Sequence, residues 1–167
     1  MLDVCREKHA RCVGVMVDGV EVQNFYIPAG GDVADRALNP KFDHKMDFYE
    51  RLTAEMARRD RQRPLVLAGD FNIAPEDRDA HPDWKDEIHV SAPERAAFRA
   101  LQELGLIDAF RLFEQPERAF SWWDYRMMAF RRNFGLRIDH LLVSPALRAA
   151  CRSCSVDKEP RRLERPS

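Results

Sequence analysis

The sequence predicts an α/β fold, and three observations carry that expectation. Alternating residues flank Asp18-Gly19, a dipeptide that favours the tight turn of a β-hairpin. Apolar residues three or four apart from Phe42 to Arg59 mark an amphipathic helix. Leu65-Val66-Leu67-Ala68 is continuously apolar, the pattern of a short strand buried on both faces. The chain has 167 residues, which suits one domain, 1–167. Its 45% hydrophobic content can build a core, and its net charge of −1 is too small for a chain that stays unfolded by self-repulsion.

The elements follow in order. Cys12 to Val17 and Val20 to Ile27 read as the two arms of the hairpin, closed by Pro28-Ala29-Gly30-Gly31. Phe42, Met46, Phe48, Tyr49, Leu52 and Met56 form the helix stripe, and Arg63-Pro64 breaks it. After the run at 65–68, Asp70 to Ile88 is polar and loop-rich. Ser91 and Glu94 form a capping-box pattern ahead of a helix through Leu104, with Gly105 as its stop. Leu106 to Phe113 is a second apolar segment. Ala119 to Tyr125 reads as extended and Met127 to Asn133 as loop. Leu136 to Val143 reads as one strand, Ser144-Pro145 starts a short helix to Ala150, and the tail from Glu159 is charged through Arg165-Pro166-Ser167.

Charge is uneven along the chain. Asp70 to Asp124 holds 13 acidic and 6 basic residues, a net of −7, whereas Arg126 to Arg165 holds 10 basic and 4 acidic, a net of +6. A metal site beside a phosphate-binding surface has this pattern, and so do two solvated faces. Cys5, Cys12, Cys151 and Cys154 are expected as reduced thiols in a cytoplasmic protein. Cys151 and Cys154 have metal-ligand spacing but no second pair. The histidines at 9, 44, 81, 89 and 140 are scattered, so no zinc site is expected. No apolar run reaches membrane-spanning length.

Two constellations have chemical potential. Gly69-Asp70-Phe71-Asn72 directly follows the buried run, and a carboxylate at a strand's carboxyl end stands at the sheet rim, where α/β proteins place sites. Asp70 and Asn72 can together orient a water or a phosphoryl oxygen; they are also the residues that cap an ordinary turn. Asp139 interrupts an apolar strand, where a carboxylate is costly unless paired or metal-bound, although an edge strand with a solvated face accounts for it too. Phe120 to Tyr125 is aromatic and suits either core or base stacking. Tyr26 ends the second strand, where it can bond a phosphate or merely pack, and Lys45 early in the helix reads as solvated.

Taken in order, these pieces resemble the exonuclease III family of AP endonucleases, within the endonuclease/exonuclease/phosphatase superfamily. The matching segments are Asn24 to Pro28, Asn39 to Phe42, Leu67 to Pro75, Leu104 to Arg111, Phe120 to Arg126 and Gly135 to Leu142. GDFN alone indicates the superfamily; FSWWDYR and GLRIDHLL point to the exonuclease III branch. The resemblance implies part of a four-layer α/β sandwich, two sheets flanked by helices, with the sheets incomplete. It implies a Mg²⁺-dependent DNA phosphodiesterase of DNA repair, with Mn²⁺ as a substitute. The substrate would be double-stranded DNA, cut 5′ to abasic sites or at 3′ ends by a protein monomeric at full length.

By the same resemblance Asp70 activates the attacking water, Asn72 orients it, and both lie at the metal. Tyr26 stands near the scissile phosphate, and Asp139 pairs with a catalytic histidine. Trp122 lines the abasic pocket, while Lys45, Arg126 and Arg137 are basic contacts to substrate or DNA. Ala29 stands where relatives often carry a polar residue, and residues before about Ala10 look unrelated. The family's Asn-containing first strand, its metal-binding Glu motif and its Ser-Asp-His-x-Pro motif have no match among residues 1–167, so a truncated chain with little activity and exposed apolar sheet faces is expected. Alternatives are another phosphoesterase of the superfamily, or a non-enzymatic fragment with residual DNA binding.

Overall fold

The computed structural model describes residues 4–7, 9–60, 62–85 and 88–163; the last residues of the charged tail, Arg165 to Ser167, lie outside them. Strands β1 (Cys12–Val17) and β2 (Val20–Tyr26) form the expected hairpin, with Asp18 and Gly19 both at positive φ in the turn. Helix α1 (Pro40–Ala57) starts with proline at its first turn, and the Asn39 side chain accepts the Lys41 N–H at 3.0 Å. Strand β3 (Leu65–Asp70) follows, then helix α2 (Ala92–Glu103), β4 (Ile107–Asp108), β5 (Trp122–Trp123), β6 (Gly135–Leu136) and β7 (Asp139–Val143). The five-stranded sheet has the order β1-β2-β3-β7-β4, and β5 pairs with β6 in a second, two-stranded sheet.

The capping box ahead of α2 is present. Glu94 accepts the Ser91 backbone N–H at 3.1 Å, and Gly105 at φ +92 follows the helix. Ser91→Ala is expected to cost about 1 kcal/mol, read as a lower urea midpoint at unchanged m-value.

Two expectations are corrected. The segment 136–143 is not one strand: Leu136 ends the two-stranded sheet, and the chain crosses at Arg137 and Ile138 before entering the large sheet at Asp139. Periodicity misses this because residues on both sides of the crossing are buried. Nor is β3 buried on both faces. Phe25, Leu65, Leu67 and Leu142 pack with Phe48, Tyr49 and Leu52 of α1 and with Phe98 and Leu101 of α2. Both helices therefore cover one face of the sheet. The opposite face carries the row Val13, Asn24, Ala68, Leu141 and the row Val15, Val22, Val66, Val143. There Val13 is 54% and Leu141 43% exposed. Among the described residues no helix is long and apolar enough to cross a membrane.

Candidate active site

Strand pairing builds the site. Tyr26 of β2 is registered with Asp70 of β3, and Asp70 lies opposite Asp139 of β7. Side chains two apart share a face, so these three form the last row of the open face, at the rim next to Asn24, Ala68 and Leu141. Gly69 allows the strands to close there: it stands at φ +122, and a Cβ would lie 2.1 Å from the Phe25 carbonyl oxygen. The structure thus brings Tyr26, Asp70 and Asp139 together.

Asn72 joins them through a left-handed turn at φ +52. Its backbone N–H donates to Asp70 Oδ1 at 2.8 Å, and its Nδ2 donates to Asp70 Oδ2 at 3.1 Å and to the Ile27 carbonyl at 2.9 Å. Burial and then the neighbouring Asp139 charge push the Asp70 pKa up to about 6, against the Asn72 hydrogen bonds and the Lys45 charge. Asp139 is exposed by surface area but crowded by protein atoms; burial raises its pKa and the Ser121 hydroxyl opposes the rise. Ser121 Oγ also accepts the N–H groups of Ile138 and Asp139, at 3.0 and 3.1 Å, which pins the start of β7.

Lys45 and Arg137 are corrected. Lys45 is fully buried, neither solvated nor on the surface. Its ammonium pairs with buried Glu94 and donates to the carbonyls of Ala29 (3.1 Å) and Asn72 (2.7 Å). It holds the Asp70–Asn72 turn from beneath and has no donor left for DNA. The helix stripe predicts a partly solvated lysine because the Glu94 partner, 49 positions away, is invisible locally. Arg137 is 1% exposed and spends its guanidinium on Asp79, Asp108 and His140. It too is an interior cation. Its Nη1 donates to His140 Nδ1 at 3.0 Å, so His140 carries its proton on Nε2 and donates to the Ile73 carbonyl at 2.8 Å. His140 faces the helices, away from Asp139, by strand alternation.

Trp122 is half-buried against Trp84, with ring centroids 6.2 Å apart. A cleft of about 430 Å³ nearby is lined by Trp84, Arg126, Met127, Arg132 and Phe134, but not by Trp122. Arg126 is exposed there, its Nε donating to Asp124 at 3.2 Å. The basic segment lies on the aromatic one: Arg161 covers the Tyr125 ring at 4.1 Å and Lys158 covers Trp123 at 5.4 Å. Sequence reasoning missed Ser121, Trp84 and Glu94 as parts of the site's frame. Glu94 gave a signal only as the cap of the second helix, Ser121 only as part of the aromatic segment, and Trp84 only as a lone aromatic within an acidic loop.

The row of carboxylates fits a hard cation. Two like charges meet across one strand pair, each pushed toward its neutral form, and both offer oxygen donors.

Comparison with known proteins matches residues 5–167 to the endonuclease/exonuclease/phosphatase family, so the match begins at Cys5, ahead of the Ala10 boundary expected from sequence. Exodeoxyribonuclease III of Haemophilus influenzae is 36% identical over 156 residues, covering 87% of this chain and 57% of the relative. An exodeoxyribonuclease of Bacillus subtilis is 31% identical, covering 92% and 60%. The chain thus spans a little under three-fifths to three-fifths of the length of these curated relatives. Among solved structures, the 3′ phosphatase NExo from Neisseria, bound to a product DNA hairpin, superposes with TM-score 0.85 at 43% identity, covering 97% of this chain and 63% of that one. An AP endonuclease from Archaeoglobus fulgidus gives TM-score 0.89 at 31% identity, covering 99% and 65%.

Proposed function

Because the chain belongs to the endonuclease/exonuclease/phosphatase family, we propose that it carries the water-activating part of a Mg²⁺-dependent DNA phosphodiesterase of the repair type, acting at abasic sites or 3′ ends. The observation that supports this most is the Tyr26, Asp70, Asp139 row with Asn72 locked to Asp70.

Asp70 is the residue to take the proton of the attacking water. A carboxylate with a pKa near 6 is a better base at neutral pH than an ordinary one and still mostly ionised. Asn72 has both Nδ2 hydrogens occupied, so it fixes the Asp70 carboxylate and offers Oδ1 as an acceptor to water. Tyr26, 57% exposed at the rim, can donate its hydroxyl to a phosphoryl oxygen. Mg²⁺ held by Asp70 with Asn72 would offset charge on the phosphoryl oxygens. Asp139, in the same row, would hold a histidine by hydrogen bond. Among the described residues no histidine is paired with it, and Glu94, the buried glutamate nearest the turn, is taken by Lys45. Arg126 at the aromatic cleft is the exposed cation suited to backbone phosphate.

Residues 1–167 alone are therefore expected to cleave slowly, by several orders of magnitude relative to a complete site. The test grafts this chain in place of the matching stretch of the Haemophilus relative and assays abasic duplex with Mg²⁺. The graft is expected to cleave, and Asp70→Asn within it to lose at least a thousandfold in rate. A folded graft that is inert, or whose cleavage survives Asp70→Asn, overturns the assignment; preference for inositol phosphates over DNA would redirect it to another phosphoesterase.

A further inference from the structure

The fold assembles a second donor cluster that the spacing of histidines does not reveal. Cys5, His9 and His44 offer one sulfur and two imidazole nitrogens that all lie within 4.8 Å of one another. Cys5 Sγ is 3.8 Å from His44 Nε2. Glu7 Oε2 lies 3.9 Å from the same Nε2 and 3.5 Å from His9 Nδ1. The two histidine rings meet edge to face, with centroids 6.3 Å apart. Two of the three donors are buried, Cys5 at 6% and His44 at 7% exposure.

The Cys5–His44 separation is close to that of a bound ion, and His9, within 4.8 Å, has to move inward. Tetrahedral zinc with ordinary Zn–S and Zn–N bonds places sulfur and nitrogen ligands about 3.5 Å apart. The observed 3.8 Å needs only a small contraction. We propose that Cys5, His9 and His44 bind one zinc ion, with Glu7 as the fourth ligand, at the junction of the N-terminal segment and α1. The donor set is sulfur and nitrogen, which disfavours Mg²⁺ and separates this site from the all-oxygen row at Asp70.

The surroundings support a built site. His44 is fixed by α1, five residues past the Asn39 cap. Cys5 is held because Val4 and Cys5 both belong to the main core cluster. Arg6, between Cys5 and Glu7, pairs with Asp43 of α1 at 3.1 Å and clamps the segment onto the helix. Among the described residues His44 finds polar partners only through Nε2, on the side of the thiol and the carboxylate, and Nδ1 is buried without one. A cleft lined by Glu7, Pro28, Gly31, Lys41 and His44 opens the cluster to solvent. Bound zinc would cross-link the N-terminal segment to α1.

The test uses the full chain, free of any histidine tag, reduced and stripped with chelator. Co²⁺ is titrated as the spectroscopic probe. One equivalent is expected to give a thiolate-to-cobalt charge-transfer band, which stoichiometric Zn²⁺ bleaches and millimolar Mg²⁺ does not. Zn²⁺ is expected to raise the melting temperature. His9→Ala, which alters an exposed side chain, should weaken Co²⁺ binding at least tenfold, and Cys5→Ser should abolish the band. Cys5→Ser also separates this site from Cys12, Cys151 and Cys154. Absence of the band in the unaltered chain, its survival in Cys5→Ser, or unchanged affinity in His9→Ala overturns the proposal.

Discussion

Asp79→Ala is expected to destabilise the fold by about 3–5 kcal/mol, the cost of removing one partner from a buried charged network. Asp79 is 1% exposed and accepts from Arg137 Nε at 2.6 Å and Nη2 at 3.2 Å, from Arg111, and from the Glu76 N–H at 3.2 Å. Without its carboxylate Arg137 keeps Asp108 at 2.8 Å and His140, but its Nε is left buried and unpaired. The Arg137 N–H donates to the Asp79 carbonyl at 2.8 Å, a backbone bond that the alanine variant keeps, so the crossing between the sheets loses its side-chain clamp but not its backbone one. Thermal unfolding should fall by of order 10 °C. Asp79→Asn, which keeps the shape and one acceptor, should lose less. A change below 1 kcal/mol in the alanine variant would show that the network carries no net stability.

Asp70→Asn is expected to stabilise the metal-free protein above neutral pH while removing its response to Mg²⁺. The sign follows from the raised pKa. An unfolded aspartate titrates near its ordinary 3.8, the folded one at about 6. Between those values the folded state holds a proton that the unfolded state has lost, so stability falls as pH rises from about 4 to 6. A shift of roughly two units corresponds to at most about 3 kcal/mol, fully present above pH 7. Asparagine carries no such penalty. The variant and the parent should therefore melt alike near pH 3, diverge between about pH 4 and 6, and keep a constant gap above pH 7, with the parent the weaker. Mg²⁺ should close that gap at pH 8 by raising the parent's melting temperature alone, because only the carboxylate rewards the cation. Parallel pH profiles, or an equal Mg²⁺ shift in both proteins, would remove Asp70 from the metal site.

The two residues illustrate how local strain is distributed. Asp79 is satisfied on both oxygens and builds the frame. Asp70 is placed against Asp139, and among the described residues only Asn72 is bonded to its carboxylate, a mismatch that a bound cation would relieve. Lys45 belongs with the frame, although its position next to the GDFN turn and its charge suggest substrate.

The sequence by itself determined the elements whose signals are short-range. The hairpin turn at Asp18-Gly19, the stripe of α1, the Ser91/Glu94 box and the apolar run 65–68 of β3, which the structure extends to Asp70, are all written within a few positions, because backbone dihedrals and local hydrogen bonds set them. Asp70 and Asn72 were legible for the same reason, since a carboxylate directly after an apolar strand marks a rim. Only the tertiary structure decided that Tyr26, Asp70 and Asp139 share one row, that 136–143 splits between two sheets, that Lys45 and Arg137 are interior cations, and that Cys5, His9 and His44 converge. Each of these depends on strand register or on partners tens of residues away, and burial changes a charged group's role through the partners that surround it, which no local pattern encodes.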